Sequence, residues 1–191
     1  MSIENIIAQR RSIDPDDFNG SKVAESVIYK MIEAAHWAPT HGYTEPWRFI
    51  IYDTAHVRDF GVLHANTYKD FTPEHQFLSK KYDKILHRGD LASHIIVIIV
   101  EHGLRQNIPE IEEILSVGCA VQNMMLVADV YGVATFWSTG GMCYHPALAQ
   151  NLHLSATQKI LGFLFVGHTD IPIPAGKREH TALSRIIKYY K

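Results

Sequence analysis

Apolar residues recur along the chain in two periods, and the places where one gives way to the other divide it into elements. Ile3, Ile6 and Ile7 share one face of a short helix over residues 3–9, which Asp14-Pro15 stops. Val23, Val27, Met31, Ala34 and Ala35 recur at helical spacing against Glu25, Lys30 and Glu33, predicting a second, core-facing helix within residues 21–37. Ala38-Pro39 ends it, because the residue before a proline avoids the helical region. Residues 47–52, rich in aromatic and β-branched side chains, read as a strand. Residues 53–65 pass from a strand end into a helix, and Thr72-Pro73-Glu74 opens another that runs towards Arg88. Both carry much charge and little apolar periodicity, so this region is expected to be a peripheral cover. Six consecutive β-branched residues at 95–100 mark a central strand covered on both faces.

The chain is organised around residues 107–141. Asn107 and Glu110 read as a capping pair with Pro109 in the first turn, and Glu110, Glu112 and Glu113 complement the helix dipole. From residue 114 to 131 the polar side chains are few: Ser116, Gln122, Asn123 and Asp129. A helix of about 24 residues is about 36 Å long. Its apolar atoms cover more than one stripe, so it is expected to be buried on nearly all sides and packed in part against a second copy of itself. Gly132 suits the left-handed position that ends helices, residues 133–137 have strand composition, and Ser138-Thr139-Gly140-Gly141 form a polar loop. A short helix over 146–152, a strand over 160–166 and an extended tail with Pro172, Pro174 and Gly176 complete the pattern. Strands at Trp47, Ile95, Ala134 and Ile160, separated by helices, predict one α+β domain over residues 1–191, with a mixed central sheet of four to five strands flanked by helices.

Composition narrows the picture. The chain has 191 residues, 47% of them hydrophobic, enough for one core, and no linker or repeat divides it. A formal net charge of -2 offers no basic face to nucleic acid or to an anionic membrane. The two cysteines, Cys119 and Cys143, lie in no ligand spacing and point to a reduced, cytoplasmic setting. The first residues lack a basic region and an apolar stretch of signal-peptide length, and the aliphatic run at 95–100 is too short to span a bilayer.

Candidate chemistry is sparse. Arg10-Arg11-Ser12 stand at the end of the first helix, where two guanidinium forks and a hydroxyl suit phosphate oxygens, or where two arginines simply complement the helix dipole. Lys177-Arg178 form a second cationic pair beyond the last strand, either surface charge or a group free to meet the first in space. On composition alone, His41 reads as a surface histidine and Trp47 as a core residue. No GxGxxG follows a strand, and neither GxxxxGK[ST] nor GxSxG occurs. The 12 histidines are scattered as singles without HExxH, so no metal site is expected.

Taken in order, Arg10-Arg11-Ser12, Ala38-Pro39-Thr40-His41 with Pro46-Trp47, residues 134–141, residues 162–167 and Lys177-Arg178 resemble the flavin-dependent nitroreductase family over nearly the whole chain. The resemblance is to the branch with an Ala-Pro-x-His loop before the Pro-Trp pair. It implies an α+β homodimer with exchanged terminal arms, the long helix at its centre and FMN at the interface. It also implies that Arg10, Arg11, Ser12, Lys177 and Arg178 grip the ribityl phosphate, and that His41 reaches the flavin of the partner subunit with Trp37 as its companion. Trp137, Ser138 and Thr139 would run along the isoalloxazine edge, with Gly140 and Gly141 letting backbone N–H groups approach the ring.

The activity so implied has two steps. NADH or NADPH gives hydride to FMN, and an electron-poor small molecule such as a nitro compound or quinone then takes its place; the chemistry is the flavin's, and no side chain need be catalytic. A dehalogenase-like or ring-oxidising flavin enzyme, a flavin carrier or sensor without turnover, and a flavin-free α+β protein are the other readings of these residues. The chain departs from the family pattern at Asp14, where many members carry a cation, at Tyr43 and Glu45, and at Ser138, where an arginine is common. Redox tuning and contacts at the ring face are expected to differ accordingly.

Overall fold

The aliphatic run at 95–100 lies at the centre of the sheet, sealed on both faces. In the computed structural model, which describes residues 2–103, 105–172, 181 and 183–188, four strands are β1 (Trp47–Tyr52), β2 (His94–Glu101), β3 (Ala134–Ser138) and β4 (Gln158–Gly167). The helices are α1 (Ile3–Gln9), α2 (Glu25–Ala35), α3 (Val57–Phe71), α4 (Ser79–His87), α5 (Glu110–Val130), α6 (Pro146–Asn151) and the four-residue α7 (Leu183–Ile186). Strand order is β1-β2-β4-β3, and every neighbouring pair is antiparallel. β2 and β3 therefore run parallel with β4 inserted between them. The parallel component is a single bridge on the outer edge of β3, where Ser12 pairs with Thr135.

The period of two along β2 divides the interior into two cores. Ile96, Ile98 and Val100 pack with α2 and α5, together with Met31, Trp47, Val121, Met124 and Leu164. Ile95, Val97 and Ile99 face the other way, against Phe60, Tyr68, Leu148, Phe163 and Phe165. The region expected to be a peripheral cover thus helps to build the second core. α3 buries Val57, Phe60, Gly61, His64, Ala65, Thr67 and Tyr68 at regular helical spacing, but glycine, histidine and threonine interrupt that stripe and disguise it as polar.

Boundaries move for local reasons. α2 begins at Glu25 because the Val23 N–H is held by the buried Ser93 hydroxyl at 2.8 Å, which keeps the preceding segment extended. Asn107 does not cap α5: it sits at φ +75, and the cap position falls to Pro109 with no side-chain bond. Gly132 takes the expected left-handed conformation after α5, with φ +66.

α5 is long and apolar enough in composition to cross a membrane, yet Val117, Ala120, Val121, Met124 and Ala128 are enclosed in the first core. Burial on nearly all sides does not hold within the chain. Ile111, Leu115, Cys119 and Gln122 form an exposed stripe continued by Val130, with Leu115 62% exposed.

Candidate functional site

Residues from three separate parts of the chain meet around the end of β3. The first is the turn after α1. Arg10 closes that helix, its N–H donating to the Ile6 carbonyl at 3.0 Å, and the Ile13 N–H donates to the Thr135 carbonyl at 3.1 Å. This pairing fixes Ser12 beside Thr135, two residues before Trp137, or roughly 7 Å along the strand. Arg11 donates from Nη1 to the carbonyls of Ala8 and Arg10. Arg10 is different: its Nε and Nη1 are buried and have no hydrogen-bond partner among the described residues. Two guanidinium nitrogens deprived of water and of a hydrogen-bond partner are costly, and an anion is a group that removes the cost. Asp129 lies near enough to feel both arginines, but burial pushes its carboxyl above the usual range against their pull.

The second part is β3 and its loop. Phe136 and Trp137 point to opposite faces of the sheet, as strand alternation requires, so Phe136 joins the second core and Trp137 the first. Trp137 crosses β4 where its ladder with β2 slips a register between Ile98 and Ile99. Gly162, at φ +151, leaves room for the indole there: a Cβ on residue 162 would collide with Nε1, which is itself buried and unpartnered among the described residues. Ser138, Thr139, Gly140 and Gly141 continue from the strand as one wall of a cavity of about 470 Å³.

The opposite walls come from α3 and α4. His64 accepts the Met142 N–H on Nε2 at 2.8 Å, which leaves its proton on Nδ1. Burial beside Phe60 and Phe163 lowers its pKa to about 4, so the ring is neutral. Gly141, at φ +66, packs so tightly on this imidazole that a Cβ would strike it. Lys81, Lys84 and Arg88 extend from one side of α4 and the turn after it, and no acidic residue lines the cavity among the described residues. Thr139 and Trp137 also line a second hollow of about 820 Å³, which opens on the exposed face of α5 beside Leu115, Cys119 and Tyr144.

The remaining sites named from sequence fall elsewhere. His41, in a short turn, is within hydrogen-bond distance of Glu112 in the first turn of α5 through Nδ1. Trp37, just beyond α2, is 83% exposed and borders Val127 and Val130. Lys177 and Arg178 lie outside the described residues. Sequence reasoning missed His64, Lys84 and Arg88. The spacing of Lys81, Lys84 and Arg88 around a helical turn was the available signal, hidden because basic residues on a short amphipathic helix read as its solvated face.

Comparison with known proteins places this geometry. The model of the Nitroreductase family matches residues 7–168. YfhC of Bacillus subtilis (strain 168), a protein provisionally named an NAD(P)H nitroreductase, is 24% identical over 170 residues, covering 88% of this chain and 84% of that one. The crystal structure of a nitroreductase-like family protein from Bacillus cereus superposes with a TM-score of 0.86 at 26% identity, covering 100% of this chain and 97% of the other. The FMN-dependent nitroreductase NfnB from Mycobacterium smegmatis, solved in complex with NADPH, shares the fold with a TM-score of 0.73 at 16% identity, covering 98% of this chain and 97% of that one.

Proposed function

Because the chain belongs to the nitroreductase family, we propose that it is an FMN-dependent oxidoreductase passing reducing equivalents from NADH or NADPH to an electron-poor small molecule such as a nitro compound or quinone. One observation carries the reading: Nε and Nη1 of Arg10, buried and without a hydrogen-bond partner among the described residues, lie two residues from Ser12, which pairs with Thr135 on the strand that leads into the Trp137 to Gly141 wall. An anionic group at Arg10 and a flat aromatic system in the adjoining cavity are what a flavin mononucleotide offers. NfnB, described as FMN-dependent and solved with NADPH, is a relative in fold that supports the same pairing of cofactor and donor.

FMN supplies two-electron chemistry when bound, and the chain's own residues bind and orient. Arg10, Arg11 and Ser12 would hold the phosphate, joined by Lys177 and Arg178 of the tail. Trp137, Ser138 and Thr139 would lie along the ring edge, and Gly140 would keep the backbone open to it. His64 fixes the loop by its bond to Met142 and excludes water from that side. The whole chain, residues 1–191, serves as one flavin-binding domain. The exposed stripe on α5 and the hollow beside it suit a second copy, so that the unit is a homodimer with exchanged terminal arms, His41 and Trp37 being offered to the partner's flavin.

The test is spectroscopic. Purified protein should be yellow, with a band near ~450 nm, and anaerobic addition of NADH or NADPH should bleach it. Protein that stays colourless after incubation with FMN ends the proposal, and colour that neither nicotinamide removes ends its enzymatic part.

A further inference from the structure

Asp14 places a negative charge two residues after Ser12, and the structure answers it from a different element. Arg88, in the turn after α4, donates from Nη2 to the Asp14 carboxylate at 3.0 Å and lies 3.8 Å from that of Asp16. Its side chain is only 17% exposed and its guanidinium lies 5.2 Å from the centre of the Phe136 ring. Burial pushes Asp14 up, but the Asp16 N–H, the bond and charge of Arg88 and the charge of Lys84 together bring its carboxyl below the usual range. Arg88 and Lys84 also line the cavity bounded by Trp137 and the glycine loop, whose wall includes no carboxylate among the described residues. The arginine is thus oriented by Asp14 on one side, supported by Phe136 beneath, and turned towards the cavity that its own pairing leaves net positive.

We propose that Arg88, oriented by Asp14, is the residue that sets the redox balance of the flavin in this chain, with Lys84 adding to it. The proposal rests on the FMN reading above. Two-electron reduction of a flavin with uptake of one proton leaves one more negative charge on the ring system than oxidised flavin carries. A fixed cation in the cavity wall therefore favours binding of the reduced form over the oxidised one. Asp14 is a positioning residue with an opposing charge: it aims Arg88 and moderates its field.

These roles predict shifts of opposite sign, which a purely structural role would not produce. FMN-loaded wild type, Arg88→Met, Arg88→Lys, Asp14→Asn and Lys84→Met are compared by anaerobic potentiometry against a reference dye. The potential difference from free FMN reports the ratio of affinities for reduced and oxidised flavin. Removing a unit charge about 10 Å away at the effective permittivity of a partly exposed site is worth roughly tenfold in that ratio. Arg88→Met should lower the ratio by roughly tenfold, or about 30 mV for a two-electron couple. Lys84→Met should lower it by less, Arg88→Lys should leave it near wild type, and Asp14→Asn should raise it, because asparagine keeps an acceptor for Arg88 but loses the charge. If Arg88→Met does not hold FMN, the Lys84→Met and Asp14→Asn pair gives the same opposed signs. Shifts of one sign in both, or potentials unchanged with flavin bound, overturn this inference and leave the FMN assignment standing. Wild type that binds no FMN removes both.

Discussion

Trp137 of β3 lies across the backbone of β4 at Gly162, filling the space that any other residue's Cβ would need. The two strands pair directly here, so the wall of the cavity depends on a glycine in the neighbouring strand. Gly162→Ala forces the indole to move or the strands to part, and should cost about 1–3 kcal/mol. Urea unfolding would read this as a lower midpoint at unchanged slope, together with weaker flavin uptake; an unaltered midpoint would show that the indole has another place to go.

The two buried, unpaired nitrogens of Arg10 give a ligand-specific expectation. Charge-assisted hydrogen bonds are worth about 1.5–3 kcal/mol, so Arg10→Ala should weaken FMN binding roughly 10- to 150-fold. Riboflavin lacks the phosphate, and its affinity should hardly change. Fluorescence titration of apoprotein with both ligands separates the cases, and equal losses for the two would remove the phosphate from Arg10.

The stripe on α5 predicts an assembly. Light scattering should give twice the 21.7 kDa chain mass, and Leu115→Glu, placed in the middle of the stripe, should give monomers without flavin. Thiol labelling offers a second reading of the same face. Cys119 lies on the stripe and should be protected in wild type but labelled in the variant. Cys143, whose pKa burial pushes up to about 12, should resist in both. Rapid labelling of Cys119 in the native wild type would place the stripe in solvent.

His64 links stability to pH in a defined direction. Burial depresses its pKa from 6.5 to about 4 in the folded state, so between those values the unfolded chain binds more protons and stability falls as pH falls. Above about 6.5 the ring is neutral in both states and contributes no such term. From pH 7 to pH 5 the loss due to this residue is about 2 kcal/mol. His64→Gln should flatten the dependence by that amount in paired urea titrations; parallel curves for wild type and variant would contradict the assigned burial.

Strands were the most legible part of the fold. β1 has the boundaries read from its composition, and the six aliphatic residues of β2 announced burial on both faces because no polar position interrupts them. α3 was harder, since Gly61, His64 and Thr67 occupy core positions for reasons of close packing and loop anchoring that only three-dimensional contacts reveal. The same limit applied to the cavity. Trp137, Ser138 and Thr139 line it as residues singled out in sequence, while Arg88 comes from the turn after a helix with no distinguishing motif and is placed only by its pairing with Asp14. Asp14 stands out in sequence as a departure from the pattern the chain resembles, but only the folded chain shows that Arg88, from a different element, pairs with it.

The place of β4 between β2 and β3 has a consequence for how the chain is made. Residues 158–167 emerge from the ribosome last among the four strands, yet they supply the ladders that join β2 to β3. Until they arrive, β2 and β3 each present an open hydrogen-bonding edge, and the nascent chain holds the Arg10 turn and the Trp137 loop without the strand that brings them into register. Ordering of the whole cavity is thus a post-translational event, gated by a single ten-residue insertion. Chains truncated after residue 157 and released from the ribosome should accordingly be cut readily by protease within 134–141, and full-length chains should be resistant there.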